Sequence, residues 1–146
     1  MLKKMFTEII GSAIVAAGRA IKIRHLKIYS KNGFNITPEQ YAVLDILKGG
    51  DYCQNKLCEL VFKDKSNMTR LISVLESKNL VHRTKQTENG KQINKISLTE
   101  EGEALRAKIS PVMKVSREHY LKNISEDDMY ICIKVLTKIQ KNLEMG

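Results

Sequence analysis

Apolar residues recur at three- and four-residue steps near the start of the chain, at Phe6, Ile9, Ile10, Ala13, Ile14, Ala17 and Ile21. That spacing puts them on one face of a helix and predicts a buried helix over residues 4–30. Asn32-Gly33 is its stop signal, because glycine takes the left-handed conformation that ends helices. Thr37-Pro38-Glu39-Gln40 opens a second helix. Thr37 suits the cap, Pro38 the first helical position, and Gln40 completes a capping box. Tyr41, Leu44, Ile46 and Leu47 give this helix its apolar side, and Gly49-Gly50 ends it. Residues 54–62 read as a short helix with Leu57, Cys58, Leu60 and Val61 inward. Lys63-Asp64-Lys65 forms the next turn, and either Asp64 or Ser66 caps the helix that runs to about Lys78. Met68, Leu71, Ile72 and Leu75 make its core stripe, leaving Ser66, Asn67, Thr69, Arg70 and Ser73 outside.

The period then changes. Residues 81–85 and 93–98 read as two strands joined around Asn89-Gly90, a strong hairpin signal. Thr99 caps a long helix whose first turn carries Glu100, Glu101 and Glu103, well placed against its positive end. Pro111 should kink it. Ser125-Glu126-Asp127-Asp128 opens the last helix, where Met129, Cys132, Ile133, Leu136, Ile139 and Leu143 form an apolar stripe suited to packing on another helix. The fold class expected is mainly α with a small β-hairpin wing. It is a single domain over 1–146, a winged helix-turn-helix lobe at 37–103 flanked by long helices in 1–36 and 104–146.

Charge sharpens this picture. The chain of 146 residues has a net charge of +9. Residues 1–37 hold seven Lys and Arg against one acid, and residues 63–95 hold eight against three. Residues 96–146 balance at eight of each. Cations thus collect at the chain start and in the helix and hairpin that would form the reading surface, where phosphates are the natural partner. A helix can read the major groove only if its outer face is small and polar near its N-terminus. Lys65, Ser66, Asn67, Thr69, Arg70 and Ser73 meet that condition, and Arg70 can fork onto a guanine edge or clamp a phosphate. In the wing, Lys91 stands beside the Asn89-Gly90 tip where a long cation probes the minor groove. Arg83, Lys85 and Lys95 suit phosphates, which position a protein without specifying sequence. Taken singly, each residue has a plainer role as a cap, a surface cation or a turn; their order and spacing together carry the reading.

Other chemistries find less support. Cys53, Cys58 and Cys132 do not make a disulfide framework or a zinc spacing, and a reducing, cytoplasmic setting suits them. Cys58 reads as core packing, Cys53 as the more exposed thiol and Cys132 as part of the last apolar stripe; a thiol switch is a minor alternative. His25, His82 and His119 show no ligand pairing at helical spacing, so no metal or cofactor is expected. Glu8 precedes the apolar run near the start, Gly11 and Ser12 interrupt it, and Arg19 and Lys22 close it, so a buried helix is expected there rather than a signal peptide or a membrane span. There is no nucleophile with its base, no acid pair and no phosphate loop, so an enzyme is not expected. The rival class is an interaction module that turns its basic face to a protein or RNA.

The chain resembles the MarR family of bacterial and archaeal transcription regulators over nearly its whole length. The matching pieces are 36–44 into the second helix, Lys65-Ser66-Asn67-Met68-Thr69-Arg70-Leu71, residues 75–83 into the wing, and Leu98-Thr99-Glu100-Glu101-Gly102 after it. The resemblance implies a homodimer on a pseudo-palindromic double-stranded DNA operator, usually repressing. It also implies release by a small aromatic or phenolic effector bound between the dimerisation helices and the DNA-binding lobe. His25, Tyr29, Tyr41, His119 and Tyr120 come from the helices that the resemblance places around that cleft. Two positions depart from the family pattern. The wing tip reads Glu88-Asn89-Gly90-Lys91-Gln92, where an Asp-x-Arg is common, and a lysine lacks the flat fork of arginine. Asn79 stands where glycine is frequent, and asparagine tolerates the left-handed conformation that the turn needs.

Overall fold

The computed structural model describes residues 1–145. Six helices and three strands follow in the order α1 (Leu2–Asn32), α2 (Pro38–Leu47), β1 (Tyr52–Cys53), α3 (Gln54–Leu60), α4 (Lys65–Ser77), β2 (Val81–Glu88), β3 (Lys91–Leu98), α5 (Glu100–Tyr120) and α6 (Glu126–Met145). This is the winged-helix architecture that the sequence pattern predicts. The caps behave as their chemistry requires. Gly33 ends α1 in the left-handed conformation at φ 66°. Thr37 and Gln40 form the reciprocal capping box on α2, each bond at 3.1 Å. Asp64, rather than Ser66, caps α4, and Ser125 accepts from the Asp128 N–H at 3.1 Å to open α6.

The chain divides into two compact units, Met1–Ser110 and the residues from Pro111 onward. In the first, Val43, Leu44, Leu57, Met68, Ile72, Leu75, Val81 and Ile96 are fully buried. Helices α2, α3 and α4 thus share one core with the base of the sheet. Val43 is part of that core, whereas Ile46 and Leu71 are only half-buried. The sheet has three strands, not the hairpin alone, in the order β1-β3-β2 and all antiparallel. β1 adds Tyr52 and Cys53 opposite Ile96 and Lys95.

The start of α5 locks against the end of α4. Asn79 takes φ 58°, and the Leu80 N–H donates to the Leu75 carbonyl at 2.9 Å, closing α4 with a left-handed cap. Thr99 Oγ1 donates to the Asn79 carbonyl at 2.7 Å and accepts from the Gly102 N–H at 2.9 Å. At Gly102 a Cβ would lie 2.0 Å from the Leu80 carbonyl oxygen, so the crossing admits only glycine. α5 stays helical through Pro111, whose ring removes one backbone donor.

α1 forms where the periodicity places it but its apolar face is not buried within the chain. Phe6 is 58% exposed, and Tyr29 is the one buried residue of the helix. The spacing defines an apolar face; it does not say what covers it. α6 likewise buries no residue, and Ile133 and Leu143 are 58% and 74% exposed. Among the described residues no helix is long and apolar enough to cross a membrane.

Candidate nucleic-acid interface

The first turn of α4 faces outward. Lys65, Ser66, Thr69 and Arg70 are exposed and Asn67 is half-exposed, while Met68 and Ile72 on the opposite side are fully buried. Burial of the stripe therefore sets the orientation of the polar face. Asp64 accepts from the Asn67 backbone N–H and from its side-chain amide, each at 2.8 Å. These two bonds, the backbone one first, hold the Asp64 carboxyl below the usual carboxylate range. Asn67 Oδ1 accepts in turn from Arg70 Nη2. Thr69 donates to the Lys65 carbonyl at 2.9 Å. Ser73, also exposed, accepts from Arg83 Nη2 at 3.3 Å.

The wing is longer than the apolar pattern predicts. β2 and β3 pair continuously from Val81 opposite Leu98 to Glu88 opposite Lys91. Asn89 and Gly90 close the hairpin with φ 51° and 78°, the two positive values that a tight primed turn requires. Because side chains alternate along a strand, the register assigns each cation to a face. Lys91 and Lys95 share one face with His82 and Thr84; Lys85 lies on the other, in line with Val81 and Ile96. The three lysines therefore do not form a single row. Arg83 is half-buried and turned onto α4, with Nε 3.8 Å from Glu76 Oε2 as well as its bond to Ser73. These two contacts join the wing to the helix.

Within the first unit a cavity of about 560 Å³ lies between α1, the start of α2 and the end of α3. Ile21, Leu26, Ala42 and Val61 give it an apolar lining, and Lys22 and Lys63 bring cations; Lys63 also stands 3.5 Å from Glu39. Of the five residues expected around an effector, His25 lines this cavity. Tyr29 and Tyr41 are buried within the chain. Tyr41 donates to Asp45 Oδ1 at 3.2 Å, and Arg106 reaches the same oxygen at 3.5 Å while forking onto Glu103 at 2.7 and 2.8 Å. Tyr29 packs edge-on to Phe34, and its hydroxyl has no hydrogen-bond partner among the described residues. Burial, then the neighbouring Tyr41 and Asp45, push that phenol well above the ordinary tyrosine range. His119 and Tyr120 belong to the second unit, exposed and half-buried respectively.

Cysteine exposure differs from the expected order. Cys132 is the exposed thiol, whereas Cys53 and Cys58 are half-buried. Burial raises the Cys58 pKa, which suits an inert thiol. Among the described residues no three His, Cys, Asp or Glu side chains converge as a metal site. Two contacts on the outer side of α4 escaped the sequence reading. Gln54 bonds Thr69 across fifteen positions, which no local pattern signals. The role of Asp64 beyond capping was foreshadowed only by the spacing Asp64-x-x-Asn67-x-x-Arg70.

No protein-family model matches the chain. The HTH-type transcriptional regulator SarZ of Staphylococcus aureus (strain USA300) is 32% identical over 114 residues, covering 76% of this chain and 74% of SarZ. The crystal structure of a MarR/EmrR family transcriptional regulator from Acinetobacter sp. ADP1 matches with a TM-score of 0.77 at 18% identity, over 97% of this chain and 99% of that one. NadR, crystallised in complex with 4-hydroxyphenylacetate, matches with a TM-score of 0.70 at 21% identity, over 89% and 91%. The two structural likenesses establish the fold; the identity with SarZ, across about three quarters of each chain, establishes kinship.

Proposed function

The chain belongs to the MarR family of DNA-binding transcription regulators, and on that premise we propose that it is a cytoplasmic homodimeric repressor, held on a pseudo-palindromic operator and released by a small molecule. The observation that carries the reading is the exposed first turn of α4, polar and cationic, joined through Arg83 to a lysine-bearing wing in one compact unit. Ser66 and Arg70 are our candidates for the major groove, on a turn they share with Asn67 and Thr69. Lys91 and Lys95 are our candidates for the wing contact, with Lys85 on the reverse face.

Dimerisation is supported by the apolar faces that the protomer leaves open on α1 and α6. A second copy would cover them and set two reading helices about 34 Å apart, one turn of duplex. For the effector, the cavity beside α1 offers an apolar lining with Lys22 and Lys63 at its edge. A small aromatic acid, of the kind NadR holds, suits that chemistry. The unpartnered Tyr29 hydroxyl is a second candidate contact.

The test is fluorescence anisotropy of the full-length protein against the duplex upstream of its own gene, beside a scrambled duplex, across a salt series. Saturable binding that prefers the upstream duplex by about a thousandfold supports a sequence-specific regulator. Equal, salt-sensitive binding to both removes operator recognition from the reading. No binding at moderate salt moves the basic face to a protein or RNA partner.

A further inference from the structure

Three side chains on the outer face of α4, spaced three residues apart, form one hydrogen-bonded chain. The Asp64 carboxylate accepts from Asn67 Nδ2 at 2.8 Å. The other end of that amide, Asn67 Oδ1, accepts from Arg70 Nη2. Chemistry fixes the direction. An ionised carboxylate only accepts and a guanidinium only donates. An amide standing between them satisfies both in one orientation alone, NH₂ toward Asp64 and carbonyl toward Arg70. Turned over, it would set acceptor against acceptor and donor against donor. Asp64 is itself held in place, because its second oxygen caps the helix through the Asn67 backbone N–H at 2.8 Å.

This arrangement decides between two uses of Asn67. An asparagine that reads adenine presents both ends of its amide to the N6 and N7 edge of the base. Here both ends already serve the helix, one toward Asp64 and one toward Arg70. Arg70, by contrast, spends one nitrogen on Asn67 and keeps the rest of its donor fork. A surface arginine samples many rotamers, and tethering one nitrogen reduces the freedom lost when the fork docks.

Resting on the regulator reading above, we propose that Asn67 is a positioning residue and not a base reader. It passes the orientation set by Asp64 to Arg70, and Arg70 is the side chain of this turn that reads a base, a guanine through its O6 and N7 edge. Asp64, Asn67 and Arg70 thus act as one recognition unit.

The experiment first selects a preferred duplex from a randomised pool with the full-length protein. It then measures binding to every single base-pair change of that duplex for the parent, Arg70→Ala, Asn67→Ala, the double variant and Asp64→Ser. Arg70→Ala is expected to erase the preference for one G·C pair in each half-site, a change of about tenfold or more. Asn67→Ala should weaken preference at that same pair by about threefold and leave the others alone. The double variant should bind within about twofold of Arg70→Ala, since the relay has nothing left to position. Serine keeps the helix cap, so Asp64→Ser should melt like the parent yet share the altered base profile of Asn67→Ala. If Asn67→Ala relaxes a different base pair, or if the two penalties multiply in the double variant, Asn67 reads for itself and the relay is wrong. A parent that selects no duplex overturns the regulator reading and the relay together, whereas a selective parent with independent Asn67 and Arg70 overturns the relay alone.

Discussion

The Gln54 side-chain amide donates to the Thr69 hydroxyl at 2.7 Å, tying the first residue of α3 to the exposed side of α4. Thr69 spends its own hydroxyl proton on the Lys65 carbonyl at 2.9 Å. The hydroxyl is therefore largely committed inside the protein, and Thr69 serves the angle between two helices. Thr69→Val keeps the shape and removes both bonds. It should lower stability by about 1 kcal/mol in urea unfolding and weaken duplex binding by less than about threefold. A larger loss of binding at unchanged stability would make Thr69 a direct contact instead.

The wing lysines separate by face. Lys91 and Lys95 lie together and Lys85 lies opposite. If the Lys91 face meets the duplex, Lys91→Ala and Lys95→Ala should each lower the steepness of log K against log salt by about one unit, and Lys85→Ala should leave it unchanged. Anisotropy titrations at four salt concentrations give the slopes. A loss with Lys85→Ala alone would reverse the face assigned to DNA.

Gly102 carries a steric requirement that no polar property can relieve. A methyl at that position would stand 2.0 Å from the Leu80 carbonyl oxygen, so the backbone must shift. Gly102→Ala should cost about 3 kcal/mol, equivalent to roughly 10 °C in melting temperature for a chain of this size. Calorimetry beside Gly11→Ala, where open space surrounds the glycine, supplies the control. Equal melting temperatures for the two variants would refute the clash.

Tyr29 links stability to alkaline pH. Its folded pKa lies above the ordinary value through burial, then through Tyr41 and Asp45. Its contribution is fully present below the unfolded value, about 10, and is lost as pH rises beyond it, because only the unfolded chain then releases the proton. Tyr29→Phe keeps the ring against Phe34 and removes a buried hydroxyl that has no partner. Stability at neutral pH should stay within about 1 kcal/mol of the parent, while the fall above pH 10 becomes shallower. An unchanged alkaline limb would show that other groups set it.

Ile133 tests the α6 face. It is 58% exposed in the protomer, so a charge there costs the isolated fold little and a dimer contact much. Ile133→Glu should halve the mass seen by light scattering while helicity by circular dichroism persists. A parental mass would move the partner surface elsewhere.

Much of this was written in local pattern. The Met68, Ile72, Leu75 stripe, the Thr37 and Gln40 capping box, and the Asn89-Gly90 turn each follow from two or three residues a few positions apart, and the structure keeps all of them. The outer half of the wing was invisible for a physical reason. Gln86, Thr87, Glu88, Lys91 and Gln92 are exposed on both faces, so no alternation marks them and backbone pairing alone extends the strands. β1 was missed because two residues beside Gly49-Gly50 have no period, and only their long-range pairing with β3 makes them a strand. Tyr29 and Tyr41 were grouped by residue type and by resemblance, and what chain pattern cannot supply is where each hydroxyl ends up. The relay through Asn67 sat in the open as a spacing of three. Its meaning needed the side-chain directions, which depend on which face of α4 the core takes.

The strict alternation of the wing also limits how such a protein can diverge. Deleting one residue from β3 below the tip would carry Lys91 to the face now held by Gln92 and Asn94, and every neighbour beyond would change sides with it. At the base, Val81 and Ile96 hold the sheet to the core, so the slip cannot spread that far without exposing them. Descendants of this chain can therefore lengthen or shorten the arm by two residues at a time in each strand, whereas a change of one residue per strand would carry the charged tip to the other face. Lineages that keep the contact should differ by an even number of residues in each strand, and those that have lost it need not.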